Sequence, residues 1–447
     1  MTCNVGLVSL GCAKNLVDSE IMLGLIEEGN YVLVEDNSKA EVLIVNTCGF
    51  IASAKDESID TILELAQNKV HGSLKVLIAT GCLSERYKED LLNSIPELDA
   101  VVGTGDYVNI VKIIEDTLNG EKVCAYGNIH YNFDESLPRK ISTPKYTAFV
   151  KIGDGCNNHC TFCIIPTLRG RFRSRKPKDI KQEIINLVSN GVKEVILIAQ
   201  DITQYGIDIY GKNSLPLLLK ELEDIDMLKW IRLLYAYPEN ISDELIDVIK
   251  NSTKIINYLD IPLQHTEDNV LKGMARKTNK VKITKLIEKL RSEIPDIVIR
   301  SSFITGFPGE SDEDFNNMLK TLEDLKLDRL GVFTYSLEED TKAALFENQV
   351  PDEIKIDRQE KILQMQQEIS LMNNEKKINH VLEILIEGVT DDPSVYFGRS
   401  YMDTPEIDGI VYVHSNYKLE EGQMCKTLIT DALEYDLIGE ITGEFTK

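Results

Sequence analysis

Gly153-Asp154-Gly155-Cys156-Asn157-Asn158-His159-Cys160-Thr161-Phe162-Cys163 decides how this chain is read. The spacing is C-x3-C-x2-C. Cysteine thiolates hold iron–sulfur clusters, usually four to a four-iron cube. Three ligands in one short loop leave one iron of a 4Fe–4S cluster without a protein ligand. An open metal position is where a substrate binds. Other readings explain less. A zinc site wants a fourth Cys or His at ligand spacing, and His159 is wedged between the ligands as a spacer. A ferredoxin-type run needs a fourth cysteine close behind, and Pro166 follows with none. A disulfide with a spare thiol suits a secreted chain. The opening Met1-Thr2-Cys3-Asn4-Val5-Gly6 has neither a basic region nor a long apolar stretch.

Working outward, the 447 residues are enough for two to four domains. A hydrophobic content of 43% with 27% charged residues is that of a soluble globular chain. No apolar run is long enough to span a membrane, so the expected location is the cytoplasm, where nine cysteines stay reduced and bind metal rather than pair. The net charge of −24 argues against a broad nucleic-acid surface. It suits a basic partner, or it simply maintains solubility.

The first 120 residues alternate strands (Val5–Ser9, Glu41–Asn46, Lys75–Thr80) with helices, a βαβαβα pattern that predicts a parallel sheet. Cys12, Cys48 and Cys82 each follow one of these strands, where open parallel sheets place ligands. Each has a glycine beside it (Gly11, Gly49, Gly81), and glycine lets backbone approach a bulky group. Three buried structural cysteines are the plain alternative. Recurrence at three equivalent places favours a second three-cysteine 4Fe–4S site. Residues 121–141 read as a linker. From 142 to 374, six strand-helix units predict a partial parallel (β/α) barrel, with the central triplet on the loop after its first strand. From 375 to 447, short β-like pieces predict a small all-β barrel. The fold class is therefore α/β, with a parallel-sheet unit, a partial barrel and an all-β C-terminal barrel.

The central motif resembles that of the radical S-adenosylmethionine enzymes. The resemblance implies that the open iron chelates S-adenosylmethionine, and that an electron from the cluster releases a 5′-deoxyadenosyl radical. It also implies that Phe162 packs near the adenine, although an ordinary core aromatic is the alternative. The turn Gly191-Val192-Lys193-Glu194 is similar to a Gly-Gly-Glu-like superfamily turn, which makes Glu194 a cofactor-binding candidate. Gln200, at the end of that strand, and Gly306, within Ile304-Thr305-Gly306-Phe307-Pro308-Gly309-Glu310, are two more. The basic run Arg169–Arg175 is either a carboxylate contact or a solvated loop. Asp201 and His265 sit at strand ends with no assigned role.

Two three-cysteine sites, a partial barrel and a β-domain together resemble the methylthiotransferases over nearly the whole chain. That family has an N-terminal cluster domain, a radical core and a C-terminal TRAM domain. Ser9-Leu10-Gly11-Cys12-Ala13-Lys14-Asn15-Leu16-Val17-Asp18-Ser19-Glu20, Asn46-Thr47-Cys48-Gly49-Phe50-Ile51 and the run from Gly398 to Gly409 are similar to the branch that modifies an aspartate of a small-subunit ribosomal protein. Ala13 stands where that branch usually has proline. The implied reaction has two S-adenosylmethionine-dependent halves, methyl transfer to sulfur and radical insertion of methylthio at the β-carbon. The implied cofactors are two 4Fe–4S clusters and S-adenosylmethionine. The implied electron donor is a protein such as flavodoxin or ferredoxin. The alternative is the same chemistry on a transfer-RNA adenosine. Residues 376–447 carry 6 Lys and Arg against 14 Asp and Glu, which suits a basic ribosomal protein rather than nucleic acid. The acidic stretch around Arg399–Gly409 is expected to belong to that docking surface. Tyr396, Phe397, Tyr401, Tyr412 and Tyr417 are base-stacking groups or ordinary barrel residues.

Overall fold

The computed structural model describes residues 3–130 and 133–445. Its first unit is a parallel sheet of β1 (Asn4–Ser9), β2 (Val32–Leu33), β3 (Val42–Thr47), β4 (Val76–Gly81), β5 (Ala100–Val102) and β6 (Val123–Ala125), ordered β2-β1-β3-β4-β5-β6. Apolar runs such as Val42-Leu43-Ile44-Val45 are buried because helices cover both faces. Leu43 and Val45 pack with Ile62 and Leu65 of the helix Ala52–Ala66. Val42 and Ile44 pack with Met22 and Ile26 of the helix Ala13–Glu28.

The segment 121–141 departs from a free linker. It contributes β6, whose three residues are too few to give a periodicity signal. Its later part is tied to the first helix. Buried Glu20 accepts hydrogen bonds from Arg139 at 2.6 Å and from the Ser142 amide at 2.7 Å. A Cβ on Gly24 would lie 2.7 Å from the carbonyl carbon of Pro138.

The second unit begins with β7 (Thr147–Lys151). A ribbon of β8 (Gly153–Asp154) and β9 (Arg173–Ser174) brackets the central cysteines. Then come β10 (Glu194–Ile198), β11 (Trp230–Leu233), β12 (Ile255–Asp260), β13 (Val298–Thr305) and β14 (Arg329–Thr334). The sheet runs β14-β13-β12-β11-β10-β7, parallel throughout and open, as expected of a partial barrel. Alternation sorts its side chains. Val195 and Leu197 face the helical layer, while Ile196 and Ile198 share the inner core with Trp230 and Tyr258.

The helix Asp352–Glu375 leads to a closed barrel of β15 (Val381–Val389), β16 (Val395–Arg399), β17 (Val411–His414), β18 (Met424–Ala432) and β19 (Leu437–Phe445). This barrel sits under the N-terminal ends of the core strands. Tyr258 donates to Asp408 at 2.7 Å, Arg329 pairs with Asp403 at 2.9 Å, and Arg300 with Asp408 at 3.4 Å. The run from Arg399 to Gly409 is thus a junction between two units, with Asp403 buried, rather than the exposed docking stretch expected of it. Glu406, Glu420 and Glu421 remain on the surface.

Candidate functional site

The loops after β1, β3 and β4 converge, and with them Cys12, Cys48 and Cys82. A Cβ on Gly11 would lie 2.9 Å from Cys48 Cβ and 3.3 Å from its Sγ. A Cβ on Gly49 would lie 2.8 Å from the backbone of Leu83. Gly81 has φ +94°, and a Cβ there would lie 2.3 Å from Asn46 Oδ1. Glycine at these places lets three chain segments crowd round one point. Asn15 ties them together, donating to the carbonyls of Leu10 at 3.2 Å and Thr47 at 3.0 Å while its Oδ1 lies 3.7 Å from Cys82 Sγ. Burial pushes the Cys48 thiol up to about 12. Around Cys12, desolvation acts in the same direction, but the cations Lys14 and Arg169 outweigh it and bring that thiol below its ordinary value.

The central triplet lies at the carboxyl end of β7. Its loop is pinned by backbone bonds from Cys156 to the Gly170 carbonyl and from Cys163 to the Cys160 carbonyl, each 3.1 Å. Gly155, at φ +81°, would bring a Cβ within 2.3 Å of the Arg171 carbonyl. The Asn158 amide donates to Cys156 Sγ at 3.4 Å. Arg276 Nη1 and Tyr237 Oη each lie 3.8 Å from Cys160 Sγ, and the Arg276 guanidinium stacks 4.2 Å over the Tyr237 ring. Burial pushes Cys156 up to about 12 and raises Cys163 further. Such thiols stay protonated until a metal displaces the proton. Among the described residues no three Cys, His, Asp or Glu side chains close round a single ion. Each set offers three thiol donors on loops that glycine lets approach closely, which is the donor chemistry a four-iron cube takes.

The two sets are neighbours through one shared patch. Cys82, Phe50, Ile164 and Leu168 form one small apolar cluster, and Ile164 directly follows Cys163. Beside it lies a buried charge network. Asp18 pairs with Lys151 at 2.5 Å and with Arg169 at 2.6 Å, and Asp154 with each of these cations at 3.3 Å. Desolvation opposes the ionised form of Asp154, but Lys151 and Arg169 prevail and hold its pKa well below the carboxylate range.

Of the other expected site residues, Gln200 joins this network, donating to Asp154 at 2.7 Å. Its Oε1 is a buried acceptor with no partner among the described residues. Phe162 is half-buried and meets Phe307 edge-on, with centroids 6.4 Å apart. Gly306, at φ +70°, leaves room for Lys355, whose Cγ a Cβ would approach to 2.2 Å, and its amide goes to Glu310. Glu194 is a correction. It opens β10, at the strand end away from the cysteines, and is fully buried between Arg232 at 2.8 Å and Arg399 at 2.7 Å. It belongs to the junction with the third unit. The sequence reading missed Asn15, Asp18, Lys151, Asp154, Tyr237 and Arg276. Asp154, two residues before Cys156, and the quoted run from Ser9 to Glu20 were the available signals.

The chain matches three family models: Uncharacterized protein family UPF0004 over residues 4–103, the Radical SAM superfamily over 150–322 and the TRAM domain over 378–442. It is 54% identical to "Ribosomal protein uS12 methylthiotransferase RimO" of Thermoanaerobacter sp. (strain X514), covering 98% of this chain and 99% of the relative. A protein of the same name from Clostridioides difficile (strain 630) is 51% identical over the same shares. Among solved structures, the radical S-adenosylmethionine methyltransferase TsrM of Kitasatospora setae superposes with a TM-score of 0.56 at 14% identity, covering 75% of this chain and 72% of that one, a likeness of fold.

Proposed function

This chain belongs to the RimO family of ribosomal protein uS12 methylthiotransferases, and from that premise we propose that it places a methylthio group on the β-carbon of an aspartate in uS12. One observation carries the reading beyond the family likeness: Cys82 of the N-terminal triplet packs against Ile164, which directly follows Cys163 of the central triplet, and against Leu168, so cysteines of two different units are brought to one place. Electron carriers normally have fully ligated clusters, and neither triplet has a fourth cysteine at ligand spacing in the sequence.

Cys156, Cys160 and Cys163 hold the radical cluster, and Cys12, Cys48 and Cys82 hold the second. Bound there, the radical cluster would supply the electron, and S-adenosylmethionine the hydrogen-abstracting radical and the methyl group that goes onto sulfur held at the second cluster. The chain's own residues bind and orient. Gln200 would offer its unpartnered Oε1 to an N–H of the S-adenosylmethionine amino group. Phe162, set against Phe307, walls the site with apolar surface that excludes water. Tyr237 and Arg276 fix Cys160.

The acidic C-terminal barrel favours a basic protein over transfer RNA as the macromolecular partner. The electron donor is a low-potential protein such as flavodoxin or ferredoxin, and the location is the cytoplasm. In support of the location, no helix among the described residues is long and apolar enough to cross a membrane. The test is mass spectrometry of ribosomal proteins and transfer RNA from cells lacking this chain. A uS12 lighter by one methylthio group less the hydrogen it replaces, with transfer RNA unchanged, is expected. Loss from transfer RNA alone would transfer the reaction to an adenosine.

A further inference from the structure

We propose that Arg169, a residue of the radical core, is a positioning residue for the N-terminal cluster, completing the charge around Cys12, Cys48 and Cys82 from the neighbouring unit. The inference rests on the two-cluster reading above.

Arg169 ends the short helix Ile165–Arg169, which starts two residues after Cys163. It is 3% exposed. Its Nη2 donates to Asn15 Oδ1 and lies 3.7 Å from Cys82 Sγ. Its Nη1 pairs with Asp18 of the first unit and Asp154 of the second. The fork therefore touches a thiol of one site while its own chain leads directly to the other. Lys151 pairs with the same two carboxylates, so two buried cations balance two buried anions. Replacing Arg169 by a neutral group leaves an uncompensated buried negative charge beside the N-terminal thiols, which is strongly unfavourable in a low dielectric.

Cluster potentials respond to net charge and to hydrogen bonds on the ligand sulfurs. A guanidinium beside Cys82 stabilises the more negative, reduced state. The central triplet has its own counterpart in Arg276, 3.8 Å from Cys160 Sγ. Each site thus has one thiol facing one guanidinium, and the radical core supplies both.

The test uses the full chain carrying Cys156→Ala, Cys160→Ala and Cys163→Ala, so that iron is held at the N-terminal site alone. Iron content and the midpoint potential, from EPR-monitored redox titration, are compared with and without Arg169→Gln or Arg169→Lys. Arg169→Gln should shift the midpoint to more negative potential, and Arg169→Lys should lie between it and the parent. In the reciprocal background, Cys12→Ala, Cys48→Ala and Cys82→Ala, Arg169→Gln should leave the midpoint in place. An unchanged midpoint in the first background overturns the proposal. So does an equal shift in both, which a merely structural arginine gives. If Arg169→Gln sheds iron, Arg169→Lys decides: iron retained with the charge supports the assignment, and iron lost from both variants overturns it. A parent without iron overturns the two-cluster reading itself, and this proposal with it.

Discussion

At the scale of single residues, burial and pairing decide more than type. Desolvation of Glu194 favours its neutral form, but Arg399 and Arg232 prevail and bring its pKa from 4.5 down to about 2. The pair's stabilisation is complete above the unfolded value near 4.5 and disappears as pH falls toward about 2. Glu194→Gln should therefore cost about 3–5 kcal/mol at pH 7, since buried Arg232 loses its carboxylate partner while Arg399 keeps only Glu387. Denaturant melts repeated from pH 7 downward should show the gap to the parent chain narrowing between about pH 4.5 and 2. A gap that is constant with pH would mean that the carboxylate charge is not what matters. Gly81 makes a second case. With φ +94° and ψ −154° it occupies a region nearly closed to other residues. Gly81→Ala should cost at least about 1–3 kcal/mol of strain. Because it lies beside Cys82, iron per chain should fall by about half, from about eight to about four.

At the scale of elements, the sequence showed where chemistry could be but not which face each charge would take. Cysteines after three apolar runs, each beside a glycine, were readable because strand ends and tight approaches have local signatures. Glu194 was misread because a turn resembling a known motif leads into its strand, whereas barrel chemistry gathers where strands finish. Gln200, six residues later, is at the finishing end. The run Arg399–Gly409 was read as exposed because its partners, Arg329, Tyr258 and Arg300, lie far away in the sequence. Within the C-terminal barrel, β16 has only a short apolar signal, which Gly398 interrupts. A Cβ there would lie 2.3 Å from the Leu385 carbonyl, so no larger residue fits. Asp403→Ala should therefore act on cohesion between units. It leaves buried Arg329 without its carboxylate, at about 3–5 kcal/mol. Limited proteolysis should release the C-terminal barrel faster from this variant, while Glu406→Ala, on the surface, should leave the rate unchanged.

At the scale of the whole molecule, three units meet at two junctions with different work to do. The first unit meets the core where the cysteines are, through Asp18, Arg169 and the Glu338 carboxylate that holds Arg86 at 2.8 Å and Lys55 at 2.9 Å. This division predicts separable half-reactions. Replacing Cys12, Cys48 and Cys82 by Ala should abolish methylthio insertion while keeping reductive cleavage of S-adenosylmethionine, followed by chromatography of 5′-deoxyadenosine. Loss of cleavage in a folded variant that retains four irons would sink it. The third unit meets the core at the opposite ends of the same strands. β13, at 8 residues, sets the thickness between them at roughly 26 Å. That thickness is a ruler. If a basic partner docks at Glu420 and Glu421 below, its aspartate has to reach around the core to the cysteines above, which calls for a long, projecting segment. A short peptide bearing the aspartate cannot touch both places. It should be modified with little sensitivity to salt, whereas the intact ribosomal protein should react more slowly as salt rises.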